Sequence, residues 1–357
     1  MISRFFIWLG IDIGFRGLVY AGIGCLFALS MGAHSAAAQQ GADNGAAVIM
    51  YHRFGEAKYP STNTTIEQLE AHIGELASGG YHILPVPDIV KALRDGVTLP
   101  ERTVGITIDD AYLSVYTEAW PRLKAAGLPF TVFVATGLVD QNVSGYMTWE
   151  QIRELANSGV SIGGHTVSHL HMPGRALEIS RGELGRSNNR LVEKLGKRPT
   201  IFAYPYGESS LAVQGLVRDF DYWAAFGQHS GAIAQHDNFF NLPRFALNEN
   251  YGGLSRLRLA VNSRPLPITD ITPVEILITN ENPPAMGFTL TRKLKGIGRL
   301  ACYSSHAGKA RLEWLGDRRV EVRVDKAFPK GRTRVNCTLP AKGKRWFWFG
   351  RQFYRPN

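Results

Sequence analysis

The stretch Thr103-Val104-Gly105-Ile106-Thr107-Ile108-Asp109-Asp110 decides how the chain is organised. Its β-branched run reads as a buried strand. Two adjacent carboxylates then stand where that strand should stop. Neighbouring side chains on a strand point to opposite sides, and a buried Asp pair costs desolvation unless a cation or a proton compensates it. Alone, the pair reads as a solvated turn. Its surroundings argue for a site.

On either side of this stretch, strand and helix signals alternate. Ala46 to Tyr51 reads as a short strand ending in Tyr51-His52-Arg53, and Ile66, Leu69, Ile73 and Leu76 fall at helical spacing before Gly79-Gly80. Tyr81 to Leu84 reads as a strand, and Asp88 as the cap of a helix through Leu93. After the Asp pair come a helix around Val115, Trp120 and Leu123, and a strand from Phe130 to Ala135. A helix capped by Thr148 follows, then a strand from Val160 to Gly163 and a helix from Leu177 to Leu195. A strand at Thr200 to Tyr204 and a helix from Ser209 complete the pattern. Such alternation predicts an α/β fold, a parallel sheet closed by helices into a distorted (β/α) barrel of about seven strands. Chemistry in such folds collects at the carboxyl ends of strands. Asp109, Asp110, His52, His165 and Tyr206 all fall at such ends.

The style changes near Ser263. Ser263-Arg264-Pro265-Leu266-Pro267 reads as the start of a linker over 265–273. Beyond it, short β-rich runs (Val274 to Ile278, Phe288 to Thr291, Arg319 to Val324, Arg334 to Leu339, Trp346 to Phe349) predict a small all-β sandwich over 274–357. Residues 45–264 are then the barrel. Residues 1–38 read as an export signal: Arg4 and Arg16 precede an uncharged apolar run from Leu18 to Ala33, and Ser35-Ala36-Ala37-Ala38 offers small residues for cleavage. A periplasmic or secreted protein is expected, with an uncleaved membrane anchor as the alternative.

The chain carries a net charge of +10, unevenly spread. From Met286 onward 18 Lys/Arg face 4 Asp/Glu, an excess of +14, so the rest of the chain is −4. The basic character belongs to the C-terminal region. For an exported protein an anionic glycan or a membrane surface is the expected partner of that region, and nucleic acid is not. Among three cysteines, Cys302 and Cys337 remain after the signal, and either a disulfide or two buried thiols fits them. In Trp346-Phe347-Trp348-Phe349, alternate rings must face the sandwich core, leaving the others open to sugar. His72 and His82 lie in helix and strand patterns and read as structural, and His171 reads as a surface residue.

The second informative stretch is Gly163-Gly164-His165-Thr166-Val167-Ser168-His169. Two His at i and i+4 can project toward one point, as zinc-binding pairs do. One carboxylate and two imidazoles make three protein ligands and leave positions open for water and substrate. The other carboxylate is then free to work a proton.

The order Ile-Thr-Ile-Asp-Asp, then His165-Thr166-Val167-Ser168-His169, resembles the polysaccharide deacetylase (NodB-homology) superfamily, carbohydrate esterase family 4. The likeness runs from about Ala46 to Arg264 and includes Met50-Tyr51-His52, Phe202-Ala203-Tyr204-Pro205-Tyr206-Gly207 and Asp219-Phe220-Asp221-Tyr222-Trp223. The resemblance implies metal-dependent hydrolysis of N-acetyl groups from an N-acetylhexosamine polysaccharide, with release of acetate. It makes Asp109 the general base and Asp110, His165 and His169 the ligands of a divalent metal. Zinc leads, and nickel, cobalt or iron also suit the set. The backbone N–H of Tyr206 becomes a donor to the oxyanion.

This chain departs from the family pattern at three points. Ala111 stands where Gly usually follows the Asp pair. Ala203 stands where an Arg usually pairs with the base, and Arg244 in Leu242-Pro243-Arg244-Phe245 is the expected replacement. The late Leu-x-His motif that supplies the acid is missing, because Asn241 to Gly253 contains no His. His229 and His52 are the candidates for that role. The Arg-less Phe-Ala-Tyr-Pro-Tyr-Gly form looks like the exopolysaccharide branch, acting on poly-β-1,6-N-acetylglucosamine. The competing expectations are a non-catalytic glycan-binding protein on a degenerate barrel, or a deacetylase of peptidoglycan, chitin-type glycan or O-acetyl esters.

Overall fold

The computed structural model describes residues 44–356. The export signal read at 1–38 lies outside the described residues. Among the described residues no helix is long and apolar enough to cross a membrane.

Six parallel strands form a curled sheet: β1 (Gly45–Tyr51), β2 (Thr103–Asp109), β3 (Thr131–Val134), β4 (Ser161–Gly164), β5 (Ile201–Ala203) and β6 (Ala224–Phe226). A seventh strand, β7 (Ala232–Ala234), adds antiparallel to β1, giving the order β7-β1-β2-β3-β4-β5-β6. The short β8 (Phe245–Ala246) pairs parallel with β1. Helices wrap this sheet, chief among them α1 (Ile66–Ser78), α2 (Val86–Arg94), α3 (Trp120–Ala125), α4 (Trp149–Asn157), α5 (Leu177–Leu195), α6 (Leu211–Asp219) and α7 (Leu254–Val261). The fold is the expected α/β barrel, open rather than fully closed.

Alternation explains why the strands bury both faces. Ile49 and Tyr51 of β1 and Ile106 and Ile108 of β2 pack outward against Leu69, Leu76 and Trp120. Ala46 and Val48 turn inward with Phe133, Ala203 and Phe226. Each fully buried aliphatic side chain contributes roughly 1.5–3 kcal/mol. Helix starts follow their capping residues: Thr65 with Gln68 and Thr148 with Gln151 both form reciprocal capping boxes. Asp88 does not cap its helix. The cap position is Pro85, and Asp88 sits in the first turn, where its charge favours the helix dipole.

The β-sandwich is built from a four-stranded sheet, β10 (Ile268–Thr272), β11 (Met286–Leu290), β14 (Arg319–Arg323) and β13 (Arg311–Leu315), and a five-stranded one. The second sheet runs from β9 (Ser263–Pro265) through β16 (Trp346–Arg355) and β15 (Gly331–Pro340) to β12 (Ala301–Ser304) and the pair Gly308–Lys309. Cys302 and Cys337 face each other across β12 and β15 and form a disulfide.

Two expectations are corrected here. The segment 265–273 is not a free linker, since Pro265 ends β9 and Ile268–Thr272 is β10. The prolines that suggested a linker are tolerated because β9 is an edge strand. Val274 to Ile278 is not a ladder strand. Ile276 and Ile278 bond Tyr354 around a single bridge at Leu277.

The sandwich is welded to the barrel. β9 pairs parallel with β16, and Trp348 of β16 packs edge-on against Phe245 of β8 at 5.3 Å. Gly350 lies so close to the Ser230 carbonyl that no Cβ would fit there. Arg345 donates to the Asn262 carbonyl (2.9 Å) and pairs with Glu101 (2.6 Å). Phe347 and Phe349 pack in the sandwich and Trp348 against the barrel, so these three rings are spent on packing.

Candidate active site

Register brings the site together. Tyr51 pairs with Ile108, so His52, one step past β1, lies beside Asp109 at the end of β2. Gly164 pairs with Phe202, which places His165 beside Ala203. Asp109 shares the inward face of β2 with Thr107, while Asp110 begins the loop and is turned back by a left-handed backbone.

Asp110, His165 and His169 converge. Asp110 Oδ1 lies 3.2 Å from His165 Nε2 and 3.3 Å from His169 Nε2. An edge of about 3.3 Å is what a tetrahedral ion with bonds near 2.0 Å requires. The His165 Nδ1–H donates to the Ala203 carbonyl at 2.7 Å. A carbonyl can only accept, so this bond fixes the tautomer and leaves Nε2 a bare lone pair. Asp110 Oδ1 and His165 Nε2 are buried with no hydrogen-bond partner. Buried polar atoms are rarely left so, and a cation held among them would satisfy both at once. Burial and the neighbouring His165 push His169 down to about 4. The donor set fits a divalent cation.

Asp109 is wholly buried and held by a cation from far along the chain. Arg244 Nη1 donates to Oδ1 at 2.7 Å and Nη2 to Oδ2 at 2.8 Å. Its Nε donates to the Gly227 carbonyl (3.0 Å) and its Nη1 also reaches the Thr107 hydroxyl (3.2 Å). The guanidinium lies 5.3 Å from the Phe133 ring and 5.8 Å from that of Phe226, the strand partner of Ala203. Burial would lift Asp109, and the Arg244 charge and hydrogen bonds more than reverse that, leaving it below its ordinary value. His52 Nε2 stands 3.9 Å from Asp109 Oδ2 and faces the cleft.

The other expected acid is misplaced. His229 is buried, lies outside the cleft that contains Asp110 and His169, and is pushed down to about 3 by burial and by Arg351, Arg334 and Arg244. Its ring is neutral at neutral pH, which ill suits a general acid. Its surroundings are long-range, and no local pattern marks them.

Several working residues escape a reading of local motifs. Glu183 on α5 accepts from the backbone N–H groups of Val167 and Ser168 (2.9 and 2.8 Å) and from the Ser168 hydroxyl (3.1 Å), and so pins the loop between the two histidines. His171 is not a plain surface residue. Its ring stacks on Tyr206 at 3.8 Å, its Nδ1 bonds Glu208 at 2.7 Å, and Tyr206 in turn meets His169 edge-on at 4.4 Å. Left-handed φ angles recur at Asp110 (77°), Ala111 (59°), Thr166 (65°), His169 (56°) and Tyr206 (60°). Such backbone costs about 1 kcal/mol or more per non-glycine residue and concentrates at functional sites. The missing Gly after the Asp pair is thus a local cost at Ala111 rather than a change of path.

From the sandwich, Gln352 Nε2 donates to the carbonyls of Tyr206 (3.1 Å) and Gly207 (2.8 Å), and Arg332 to that of Tyr206 (3.3 Å). The β-sandwich therefore touches the site directly.

Comparison with known proteins agrees with this geometry. The polysaccharide deacetylase family model matches residues 96–225. The chain is 26% identical over 206 residues to YxkH of Bacillus subtilis (strain 168), a polysaccharide deacetylase by name, covering 58% of this chain and 72% of the relative. It is also 26% identical over 256 residues to the poly-β-1,6-N-acetyl-D-glucosamine N-deacetylase of Escherichia coli (strain K12), covering 58% of this chain but only 37% of that longer protein. Among solved structures, IcaB from Ammonifex degensii superposes with a TM-score of 0.53 at 26% identity, over 60% of this chain and 96% of that one. The Streptococcus pyogenes deacetylase PplD, solved with acetate, has the same fold, with a TM-score of 0.58 at 20% identity over 61% of this chain and 99% of that one. With its barrel and its Asp-Asp strand end, the chain is similar to polysaccharide deacetylases over the barrel region, and the family model covers residues 96–225 of it.

Proposed function

We propose that this protein is an exported, metal-dependent N-deacetylase of an N-acetylhexosamine exopolysaccharide. The observation that carries the reading is the pairing of a convergent Asp110–His165–His169 donor set, two of its atoms buried without partners, with an Arg-clamped Asp109 beside it. A divalent cation bound there, zinc first by ligand type, supplies Lewis acidity that brings water toward a neutral pKa and polarises an acyl oxygen.

The chain's own groups do the rest. Asp109, kept ionised by Arg244, takes the proton as water oxygen bonds to the acetamide carbon. The Tyr206 backbone N–H donates to the developing oxyanion. As the carbon–nitrogen bond breaks, the leaving amine receives a proton, for which His52 is the group at hand in the cleft. Acetate and a free amino sugar result, with atoms and charge balanced.

Likeness to relatives named for poly-β-1,6-N-acetylglucosamine makes that polymer the first substrate to try. The test is acetate release from β-1,6- and β-1,4-linked N-acetylglucosamine oligomers, with metal content measured in parallel. Chelation should abolish release and zinc restore it. Asp109→Asn should lose at least about a hundredfold in kcat while keeping its metal. Metal bound without acetate from any acetylated glycan would instead support a glycan-binding protein.

A further inference from the structure

The cleft over the site, about 800 Å³, has two walls. His52, Asp110, His169 and Tyr206 come from the barrel, and Ser305, Arg332, Arg334 and Asn336 come from the β-sandwich, with Arg256 of α7 alongside. Its charge is lopsided. Among the described residues that line it, Asp110 is the only carboxylate, and Asp110 belongs to the cation site. Three guanidiniums face it. Arg332 has Glu208 at 3.7 Å, but Arg256 and Arg334 have no carboxylate within ion-pair distance among the described residues.

These two arginines are held in place by neutral groups. Arg334 Nε donates to Gln352 Oε1 at 3.0 Å. Arg256 lies over Trp348 at 5.2 Å and Phe245 at 5.7 Å and reaches only the Ser230 hydroxyl, at 3.4 Å, while its buried Nε has no partner. Burial, then the charge of Arg332, pushes Arg334 down to about 10, still a cation at neutral pH. Half-buried guanidiniums without counter-charges are costly, and a bound anion with oxygens to share relieves that cost. Tyr251, 64% exposed on the cleft rim, adds an aromatic face of the kind that stacks on sugar rings. A neutral polymer gains nothing from these charges, and its amine product is repelled by them.

We infer that the cleft is built for an acidic polysaccharide, one that carries a carboxylate sugar next to the N-acetylhexosamine, with Arg256 and Arg334 as the carboxylate subsite. The inference rests on the deacetylase reading only for the acetamido half of the substrate.

The test compares labelled oligosaccharides of equal length, an alternating glucuronate–N-acetylglucosamine oligomer and a neutral β-1,6-linked N-acetylglucosamine oligomer, for binding and for acetate release. The acidic oligomer should bind on the order of tenfold more tightly. That advantage should shrink as ionic strength rises, which tests the wild-type chain without any variant. Arg334→Gln and Arg256→Gln should each lower the acidic-to-neutral ratio severalfold. A loss acting only through Gln352 and the Tyr206 turn would lower both substrates alike and leave the ratio standing, against the proposal. Equal binding, or tighter binding of the neutral oligomer, overturns it. Preference for the acidic oligomer with no acetate from either would keep the subsite and remove the deacetylase reading instead.

Discussion

The ion pair between Arg244 and Asp109 shows how much one side chain controls. Both partners are fully buried, so neither charge is tolerable alone. Arg244→Ala should destabilise the fold by about 3–5 kcal/mol, measured by urea unfolding. Its effect on proton transfer has a definite sign. With Arg244 present, the Asp109 carboxyl lies below its ordinary value, so its stabilising ionisation is lost only as pH falls through that depressed value. Without Arg244, burial dominates and the pKa rises, so the acid limb of the acetate-release profile should move to higher pH. Arg244→Lys should move it less, which keeps the question open to measurement if the Ala variant does not fold. At this scale the sequence was legible where chemistry is written as a local string: Asp109-Asp110 and the His165–His169 pair. It was illegible where a residue acts through a fold contact. Nothing near His171 announces its stack on Tyr206, and nothing near His229 announces its burial.

Among the elements, strand β16 does more than close a sandwich. Gln352 supplies two hydrogen bonds to the turn that presents Tyr206, so the last strand of one layer holds the backbone of another. Gln352→Glu keeps the shape and the contact with Arg334 but sets carboxylate oxygen against two carbonyls. That variant should lose about 10- to 100-fold in kcat with KM changed less than about twofold and metal content unaltered. A rise in KM with kcat intact would make β16 a substrate wall only. The barrel elements were readable because each helix and strand carries its own period, and Thr65 and Thr148 mark helix starts in plain sight. The sandwich was read less well. Its short strands owe their pairing to distant partners, so β10 carries a linker's local pattern and Val274 to Ile278 a strand's pattern without its ladder.

For the whole molecule, two buried histidines outside the cation site add to the response to acid. His72 accepts from the Tyr51 hydroxyl through Nδ1 (2.9 Å) and donates to the Gly252 carbonyl through Nε2 (2.7 Å), and burial depresses its pKa. His229 is depressed to about 3. Both are neutral when folded and free to protonate near pH 6.5 when unfolded. The unfolded state therefore binds more protons below that pH, and stability falls as pH drops. Each group contributes a slope of about 1.4 kcal/mol per pH unit down to its own folded pKa. Urea midpoints taken from pH 7 to pH 5 should show the decline, and His72→Asn should make it shallower. The weld between the sandwich and the barrel has a temporal consequence as well. A barrel folded without residues 346–355 already carries Asp109, Asp110, His165 and His169, yet its Tyr206 turn is braced only once that C-terminal strand has docked. Competence thus arrives late in folding, and a chain cut short before that strand would display the motif without the braced turn.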